Sequence, residues 1–249
     1  MIWVIGGTKD SRDFLDQLID YTKDIVVTTA TEYGGKLLKN LDIEVVCKKL
    51  TYDMMIDFSI EHNITTIVDL SHPYAVEVSS NAIEVTKERG LKYFRFERQE
   101  IEYYPSKYKM FYSIEDIIKY IETLENNILV TLGSNNVPYF KELKNLANCY
   151  FRILPKWDMV KKCEDNNILP KNIIAMQGPF NENLNIAMME QLNIKYLITK
   201  QAGIAGGEKE KIDAAEKLGV EVIFLGRPHI KYPNCYDNIL TLIVAIKNN

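Results

Sequence analysis

The sequence lacks the features that mark several classes of protein. No apolar run approaches the roughly 20 residues of a membrane-spanning helix, and no basic segment precedes an apolar one at the start, so we expect no membrane span and no signal peptide. The 30 basic side chains are outnumbered by 34 acidic ones, and the formal charge of −4 disfavours binding to nucleic acid. These absences predict an ordinary soluble protein of the cytoplasm.

Cysteine and histidine are too few and too scattered for a metal centre. The four cysteines form no Cys-x-x-Cys pair, and the three histidines are isolated from one another. Protein metal sites usually draw their ligands from closely spaced pairs of such residues. We therefore expect no metal site, and inert thiols in a reducing compartment. A G-x-S-x-G motif is also missing, which disfavours a serine hydrolase.

Short β-branched runs alternate with longer helical patterns along the whole chain. The predicted strands are IWVI (2–5), DIVVTT (24–29), EVVC (44–47), TTIVDL (65–70), KYFRFE (92–97), NILVTLGS (127–134), NCYFRILP (148–155), NIIAMQGPF (172–180), KYLITK (195–200) and VEVIFLG (220–226). This rhythm indicates parallel sheets covered by helices on both faces. We predict an α/β protein of two domains of about equal size, residues 1–112 and 113–249.

Ligands of open parallel sheets bind beyond the carboxyl ends of the strands. The loops at those positions are Gly6 to Thr8, Thr28-Thr29, Ser71 to Tyr74, Thr131 to Asn136, Gln177 to Phe180 and Lys200 to Gly203. They are rich in glycine, serine, threonine and asparagine, which suits backbone N–H and hydroxyl donors aimed at an anionic ligand.

The individual loops leave alternatives open. Gly6 and Gly7 fall short of the G-x-G-x-x-G fingerprint, because Ser11 stands near the place of its third glycine; they fit a phosphate-binding turn or simply a tight turn. His72 is either an acid or base near the ligand or a loop histidine tied to the backbone. Arg95 either binds a carboxylate or forms an internal ion pair with Glu97, which alternation places on the same face.

Taken together, the loops resemble the precorrin-6A reductases of corrin (vitamin B12) biosynthesis, in their metal-free and cobalt-containing versions. The matching stretches are IGGTKDSR (5–12), VTTATEYGG (27–35), DLSHPYAVEVSSNA (69–82), YFRFER (93–98), TLGSNN (131–136), QGPFNENLN (177–185) and TKQAGIAGGEKEK (199–211). They follow one another in the family's order over nearly the whole chain.

The resemblance implies two Rossmann-like α/β/α domains whose mainly parallel sheets flank an interdomain cleft. It implies an oxidoreductase of cobalamin biosynthesis that binds NADH or NADPH and a corrin precursor. Hydride from the cofactor would reach one carbon of a macrocycle double bond and a proton its neighbour, converting precorrin-6A or its cobalt form to the 6B product. The protein would supply orientation and exclude water.

The same resemblance implies a set of site residues. The cofactor candidates are Gly6, Gly7, Thr8, Arg12, Thr29, Tyr33, Gly34, Thr131, Gly133 and Ser134. The substrate candidates are Asn81, Arg95, Arg98, Gln177, Phe180, Lys200 and Gly203, and the catalytic candidates are His72 and Tyr74. The family's tryptophan shortly after RFER is missing here, where Gln99 to Ile101 stand, so its stacking role is in doubt.

Two further points concern the cofactor and the alternatives. The stretch TTATEYGG (28–35) has no basic residue for a 2′-phosphate, and its acid, Glu32, slightly favours NADH and the cobalt-containing route. A non-catalytic nucleotide- or tetrapyrrole-binding protein of the same fold is the alternative function. A methyltransferase is the weakest reading, because the usual G-x-G-x-G loop is absent. The sequence does not indicate whether the protein is a monomer or an oligomer.

Overall fold

The computed structural model describes residues 1–36, 38, 40–99, 104–201 and 207–248, apart from the side chain of Tyr33. The chain forms two compact units, Met1–Gln99 with Pro228–Asn249 (unit 1) and Glu100–Arg227 (unit 2). Each unit contains one six-stranded sheet in which every described strand pair is parallel. The predicted class, two α/β units with parallel sheets, is therefore confirmed.

Unit 1 is a sheet covered by helices on both faces. Its strands are β1 (Ile2–Ile5), β2 (Ile25–Thr29), β3 (Glu44–Cys47), β4 (Thr66–Asp69), β5 (Lys92–Phe96) and β12 (Cys235–Tyr236), and its helices are α1 (Lys9–Leu18), α2 (Glu32–Lys36), α3 (Tyr52–Glu61), α4 (Val76–Arg89) and α9 (Ile239–Lys247). The strand order is β12-β5-β4-β1-β2-β3. Alternation along β1 sends Val4 to the core under α1 and α9, and Trp3 to the core under α3 and α4.

Helix α1 begins where local sequence favours it. Thr8 is the N-cap, and its hydroxyl accepts from the backbone N–H of Ser11 at 3.1 Å. The Ser11 hydroxyl in turn accepts from the backbone N–H of Thr8, which completes a capping box. Phe14, Leu15 and Leu18 then recur on one face and are fully buried. The cap fixes the start of the helix, and the apolar face fixes its rotation against the sheet.

Unit 2 repeats the same architecture. It contains β6 (Tyr108–Phe111), α5 (Ile114–Ile121), β7 (Asn127–Val130), β8 (Cys149–Ile153), α6 (Trp157–Glu164), β9 (Ile173–Ala175), α7 (Glu182–Gln191), β10 (Ile194–Lys200), α8 (Glu208–Leu218) and β11 (Glu221–Leu225), with 3-10 helices at Ser134–Phe140, Leu146–Asn148 and Pro170–Asn172. The strand order is β6-β11-β10-β7-β8-β9. Leu129, Leu197 and Phe224 face α7 and α8 in the core of this unit. No helix within the described ranges is long and apolar enough to cross a membrane.

The division of the chain differs from the predicted domains 1–112 and 113–249. Strand β6 lies before the predicted boundary, yet it pairs with β11 and belongs to unit 2. Strand β12 lies near the end of the chain, yet it pairs with β5 in unit 1. Helix α9 packs beside α1 in the same unit. Strand pairing over long sequence separation therefore decides the division, and local patterning does not reveal it.

This division makes a testable prediction about α9. Leu242 is fully buried in the core of unit 1, so Leu242→Ala should lower the free energy of unfolding by about 2–5 kcal/mol through lost burial and a cavity. Leu240 lies in the same helix but is 64% exposed, and Leu240→Ala should change it by less than about 0.5 kcal/mol. Urea unfolding of both variants measures the difference. Equal effects would contradict the placement of α9 in the core.

Candidate functional site

In unit 1 the chain winds outward in both directions from β1. Strands β2 and β3 follow on one side, and β4 and β5 on the other. The loops after β1 and β4 therefore diverge, and open α/β sheets bind their ligands at such a switch point. The Thr8 hydroxyl donates a 3.0 Å hydrogen bond to the carbonyl of Leu70 and ties the two loops together. The predicted residue Thr8 thus contacts the segment that leads into the His72 loop.

The turn after β1 is tight, and two of its backbone N–H groups donate to an acceptor close by in the chain. Gly7 has a φ of +100°, which a side chain would strain. The Ser11 hydroxyl accepts from the N–H groups of Gly7 and Thr8, each at 3.0 Å. A Cβ on Gly34 would lie 3.0 Å from the Cα of Gly7, so only glycine lets α2 approach this closely. The tight-turn reading accounts for these glycines; phosphate binding by them stays a prediction.

The first turn of α1 still fits the phosphate of a dinucleotide. The N–H groups of Lys9 and Asp10 have no acceptor among the described residues, and they lie at the positive end of the helix dipole. Asp10 would repel an anion there, but its carboxylate is paired with Arg98. Because that pair neutralises the acid, the helix start can accept a negatively charged ligand. A substrate contact of Arg98 stays a prediction.

A buried hydrogen-bond network lies directly behind the His72 loop. Asp69, at the end of β4, is fully buried and accepts from the Ser71 N–H at 2.9 Å, the Ser79 hydroxyl at 2.7 Å, the Tyr93 hydroxyl at 2.9 Å and the Arg95 Nη1 at 2.9 Å. Arg95 Nη1 also donates to the Ser71 hydroxyl at 3.0 Å. Burial and the neighbouring Asp69 charge raise the pKa of Tyr93, which stays protonated as a donor. This Asp69 network holds the start of the loop.

Arg95 is internal to the same network. Its side chain is 1% exposed, and its Nε and Nη2 donate to one oxygen of Glu97 at 3.0 and 2.7 Å. Burial alone would lower its pKa, but the carboxylates of Asp69 and Glu97 outweigh burial and raise it. The ring of Tyr232 lies 4.9 Å from the guanidinium carbon. The internal ion pair expected as the alternative is present, and the substrate role of Arg95 stays a prediction that this burial does not favour.

His72 and Tyr74 lie side by side beyond the network. The backbone N–H of Tyr74 donates to His72 Nδ1 at 3.3 Å, and that of Ala75 donates to the His72 carbonyl at 2.7 Å. A neutral ring that accepts at Nδ1 carries its proton on Nε2. The two rings are 5.7 Å apart and tilted by 41°. The loop therefore offers a donor group at the switch point, although neither catalytic role is tested.

The remaining candidates of unit 1 are more dispersed. Thr29 is buried at the end of β2 and donates to the Thr31 carbonyl at 3.2 Å. Arg12 forms an ion pair with Asp16 along the surface of α1. Asn81 is half-buried on α4. The side chain of Tyr33 lies outside the described part of the structure, so its role stays a prediction.

Unit 2 has a switch point of its own between β7 and β10. Both the N–H and the hydroxyl of Thr131 donate to the Ile198 carbonyl, each at 2.9 Å. Gly133 and the buried Ser134 follow and begin the 3-10 helix Ser134–Phe140. The predicted loop TLGSNN thus begins at the place where the fold favours ligand binding.

Three predicted substrate residues lie at or beyond the ends of β10 and β9, two strands that β7 and β8 separate in the sheet of unit 2. Lys200 ends β10, and burial lowers its pKa. Gln177 is exposed after β9, and Phe180 is half-buried just before α7. Gly203 lies outside the described residues. Their ligand contacts stay predictions.

Sequence reasoning missed a buried cation of unit 2, Arg152 in β8. Arg152 is 8% exposed, and its Nη1 donates to the Asn185 Oδ1 at 2.7 Å. The available signal was a charged residue near the end of a predicted buried strand. The same Tyr-Phe-Arg tripeptide drew attention at Arg95 but not at Arg152.

Comparisons with known proteins agree along the whole chain. Residues 1–247 match the family model described as precorrin-6x reductase CbiJ/CobK. A protein of Methanocaldococcus jannaschii named cobalt-precorrin-6A reductase is 35% identical, with 98% of this chain and 97% of the relative covered. A protein of the same name from Priestia megaterium is 32% identical, with 100% and 98% covered. A solved structure titled CobK precorrin-6A reductase has a TM-score of 0.80 at 17% identity, covers 99% of this chain and 96% of its own, and supports the fold.

The Asp69 network makes a testable prediction. Asp69→Asn should lower the free energy of unfolding by about 3 kcal/mol, because the buried Arg95 loses one of its two carboxylate partners. Glu77→Gln is the matched control, since it breaks the exposed ion pair with Lys49 and should cause no measurable loss. Chemical denaturation gives both values. An Asp69→Asn variant as stable as wild type would show that the network does not stabilise the carboxyl end of this sheet.

Proposed function

Because the chain belongs to the precorrin-6x reductase family, we propose that it reduces one double bond of the cobalt-precorrin-6A macrocycle in cobalamin biosynthesis. The observation that carries the proposal is the family match over residues 1–247. Family membership makes the chain an oxidoreductase and implies a reduced nicotinamide cofactor. The cobalt form is favoured because relatives of 32% and 35% identity bear that name.

The chemistry asks little of the protein beyond positioning. A reduced nicotinamide supplies a hydride when it is bound, and one proton must reach the neighbouring carbon of the macrocycle. In our proposal His72 passes on the proton that it carries on Nε2 and takes another from solvent at the same nitrogen, because its Nδ1 accepts from the Tyr74 N–H. Tyr74 orients the imidazole through this contact and through the neighbouring ring.

The Asp69 network positions this loop through the residue that precedes His72. Asp69 and Arg95 hold the backbone and the hydroxyl of Ser71, the residue before His72. We therefore assign Arg95 as a positioning residue, in place of a direct substrate contact. Asn81, Arg98, Gln177, Phe180 and Lys200 remain the proposed substrate contacts. Arginine and lysine suit the carboxylates of a corrin precursor.

We propose NADH as the reductant. The strand end after β2 leads into α2, whose first turn carries the exposed acid Glu32. An acid near this place in a dinucleotide-binding fold accepts from the ribose 2′-hydroxyl of NADH, and it would repel the 2′-phosphate of NADPH. The first turn of α1 would take the pyrophosphate through the N–H groups of Lys9 and Asp10.

The first test is direct turnover. The protein is mixed with cobalt-precorrin-6A and either NADH or NADPH, and absorbance at 340 nm is followed together with the corrin spectrum. We expect oxidation of the cofactor coupled to loss of the substrate spectrum, with a higher kcat/KM for NADH. Binding of both ligands without oxidation of either cofactor would replace the proposal with the non-catalytic alternative.

A second test concerns the proton donor. His72→Gln should lower kcat about 100-fold or more, because the variant cannot deliver a proton in the transition state. His62→Gln is the control, since that ring stacks on Phe58 in α3, away from the loops at the carboxyl ends of the strands. The control should keep wild-type kcat. Unchanged kcat for His72→Gln would assign the proton to solvent instead.

A further inference from the structure

Arg152 carries a buried positive charge that no described carboxylate neutralises. Its described contacts are Asn185 Oδ1 at 2.7 Å, the Met188 sulfur at 3.8 Å and the ring of Phe180, whose centroid is 4.2 Å from the guanidinium carbon. None of these is a carboxylate, and Nε and Nη2 have no acceptor among the described residues. Burial lowers the pKa of Arg152 to about 10, so the group stays charged at neutral pH.

Lys211 brings a second buried charge to the same place. It is 7% exposed, and its Nζ donates to the Thr199 hydroxyl at 2.9 Å. Burial first and the positive charge of Arg152 second lower its pKa to about 8. The acids Glu208 and Glu210 oppose this shift without cancelling it, and Lys200 adds to it. The local balance of charge is therefore positive.

Strand register explains why the two cations meet. Phe151 in β8 pairs with Val130 in β7, and Val130 pairs with Ile198 in β10. One residue further, Arg152 and Thr199 stand at the same level and face the same side of the sheet. Their contacts with Asn185 and Lys211 show that this is the side covered by α7 and α8. The level is the carboxyl end of the sheet, beside the switch point of unit 2.

We propose that Arg152 and Lys211 form an oxyanion-binding site of unit 2, which takes one carboxylate of the macrocycle or one phosphate of the dinucleotide. Two like charges buried together destabilise a protein unless an anion joins them. Phe180 covers one face of the guanidinium, so an anion reaches it edge-on through Nε and Nη2, the geometry of bidentate oxyanion binding. The identity of the ligand rests on the proposed function, whereas the anion chemistry rests on the charges alone.

The test compares binding and stability in matched variants. Arg152→Met and Lys211→Met remove one charge each and keep an unbranched chain. Lys195→Met removes the same charge from the opposite end of β10, where Lys195 is exposed, and serves as the control. Dissociation constants are measured by calorimetry for NADH, NADPH and uroporphyrin, a stable tetrapyrrole that carries carboxylates only. Thermal unfolding is measured without ligand.

We expect each buried variant to bind one class of probe about 10- to 100-fold more weakly than wild type, the range for a lost hydrogen bond to a charged group. Weaker binding of uroporphyrin alone assigns the site to a macrocycle carboxylate; weaker binding of both nucleotides assigns it to a phosphate. Lys211→Met should also unfold at a higher temperature than wild type, because a buried charge is gone. Lys195→Met should match wild type for every probe.

Unchanged constants for all three probes in both buried variants would overturn the site, as would a wild-type protein that binds none of them. If Arg152→Met does not fold, Arg152→Lys and Lys211→Met decide the question: a weakened but measurable constant supports the site, and wild-type constants overturn it. The binding constants do not depend on turnover. Absence of cofactor oxidation would therefore overturn the proposed reaction and leave these measurements to judge the anion site.

Discussion

The buried carboxylate of Asp69 is the group on which the candidate site of unit 1 depends. It accepts four hydrogen bonds at the end of β4, from a backbone amide, two hydroxyls and a guanidinium. The donors come from β5, α4 and the loop that carries His72, so one charge joins three parts of the fold. A carboxylate buried at this depth without hydrogen bonds would be strongly unfavourable. The side chains that donate to Asp69 are therefore restricted to a narrow range of positions.

The same tripeptide occurs in both units, but its arginine has different partners in each. In both, Tyr-Phe-Arg ends in a buried arginine near the carboxyl end of a parallel strand, at Arg95 in β5 and at Arg152 in β8. Arg95 is neutralised by Asp69 and Glu97 and supports the loop. Arg152 has an amide, a thioether and an aromatic ring as its described partners. The guanidinium of Arg95 therefore stabilises its own unit, whereas Nε and Nη2 of Arg152 have no acceptor among the described residues.

Much of the fold could be predicted from the sequence, and the errors have a common cause. All ten predicted strands are present. The two strands that were missed, β6 and β12, have four and two residues and lie at sheet edges. Neither YKMF nor CY contains a β-branched residue, and neither segment is long enough to show clear alternation. These two strands nevertheless decide the domain division, because each pairs with a strand distant in sequence.

The sequence by itself determined the alternating α/β pattern, the loops that follow the strands and the family that they resemble. Each of these depends on residues that are close together along the chain. Only the tertiary structure decided which charges are neutralised. Arg95 was expected either to bind a ligand carboxylate or to pair with Glu97, and it lies in an ion-pair network. Arg152 drew no attention, and it lacks a carboxylate partner among the described residues. The physical reason is that the energy of a buried charge depends on the groups around it in space, and the register of neighbouring strands brings those groups together.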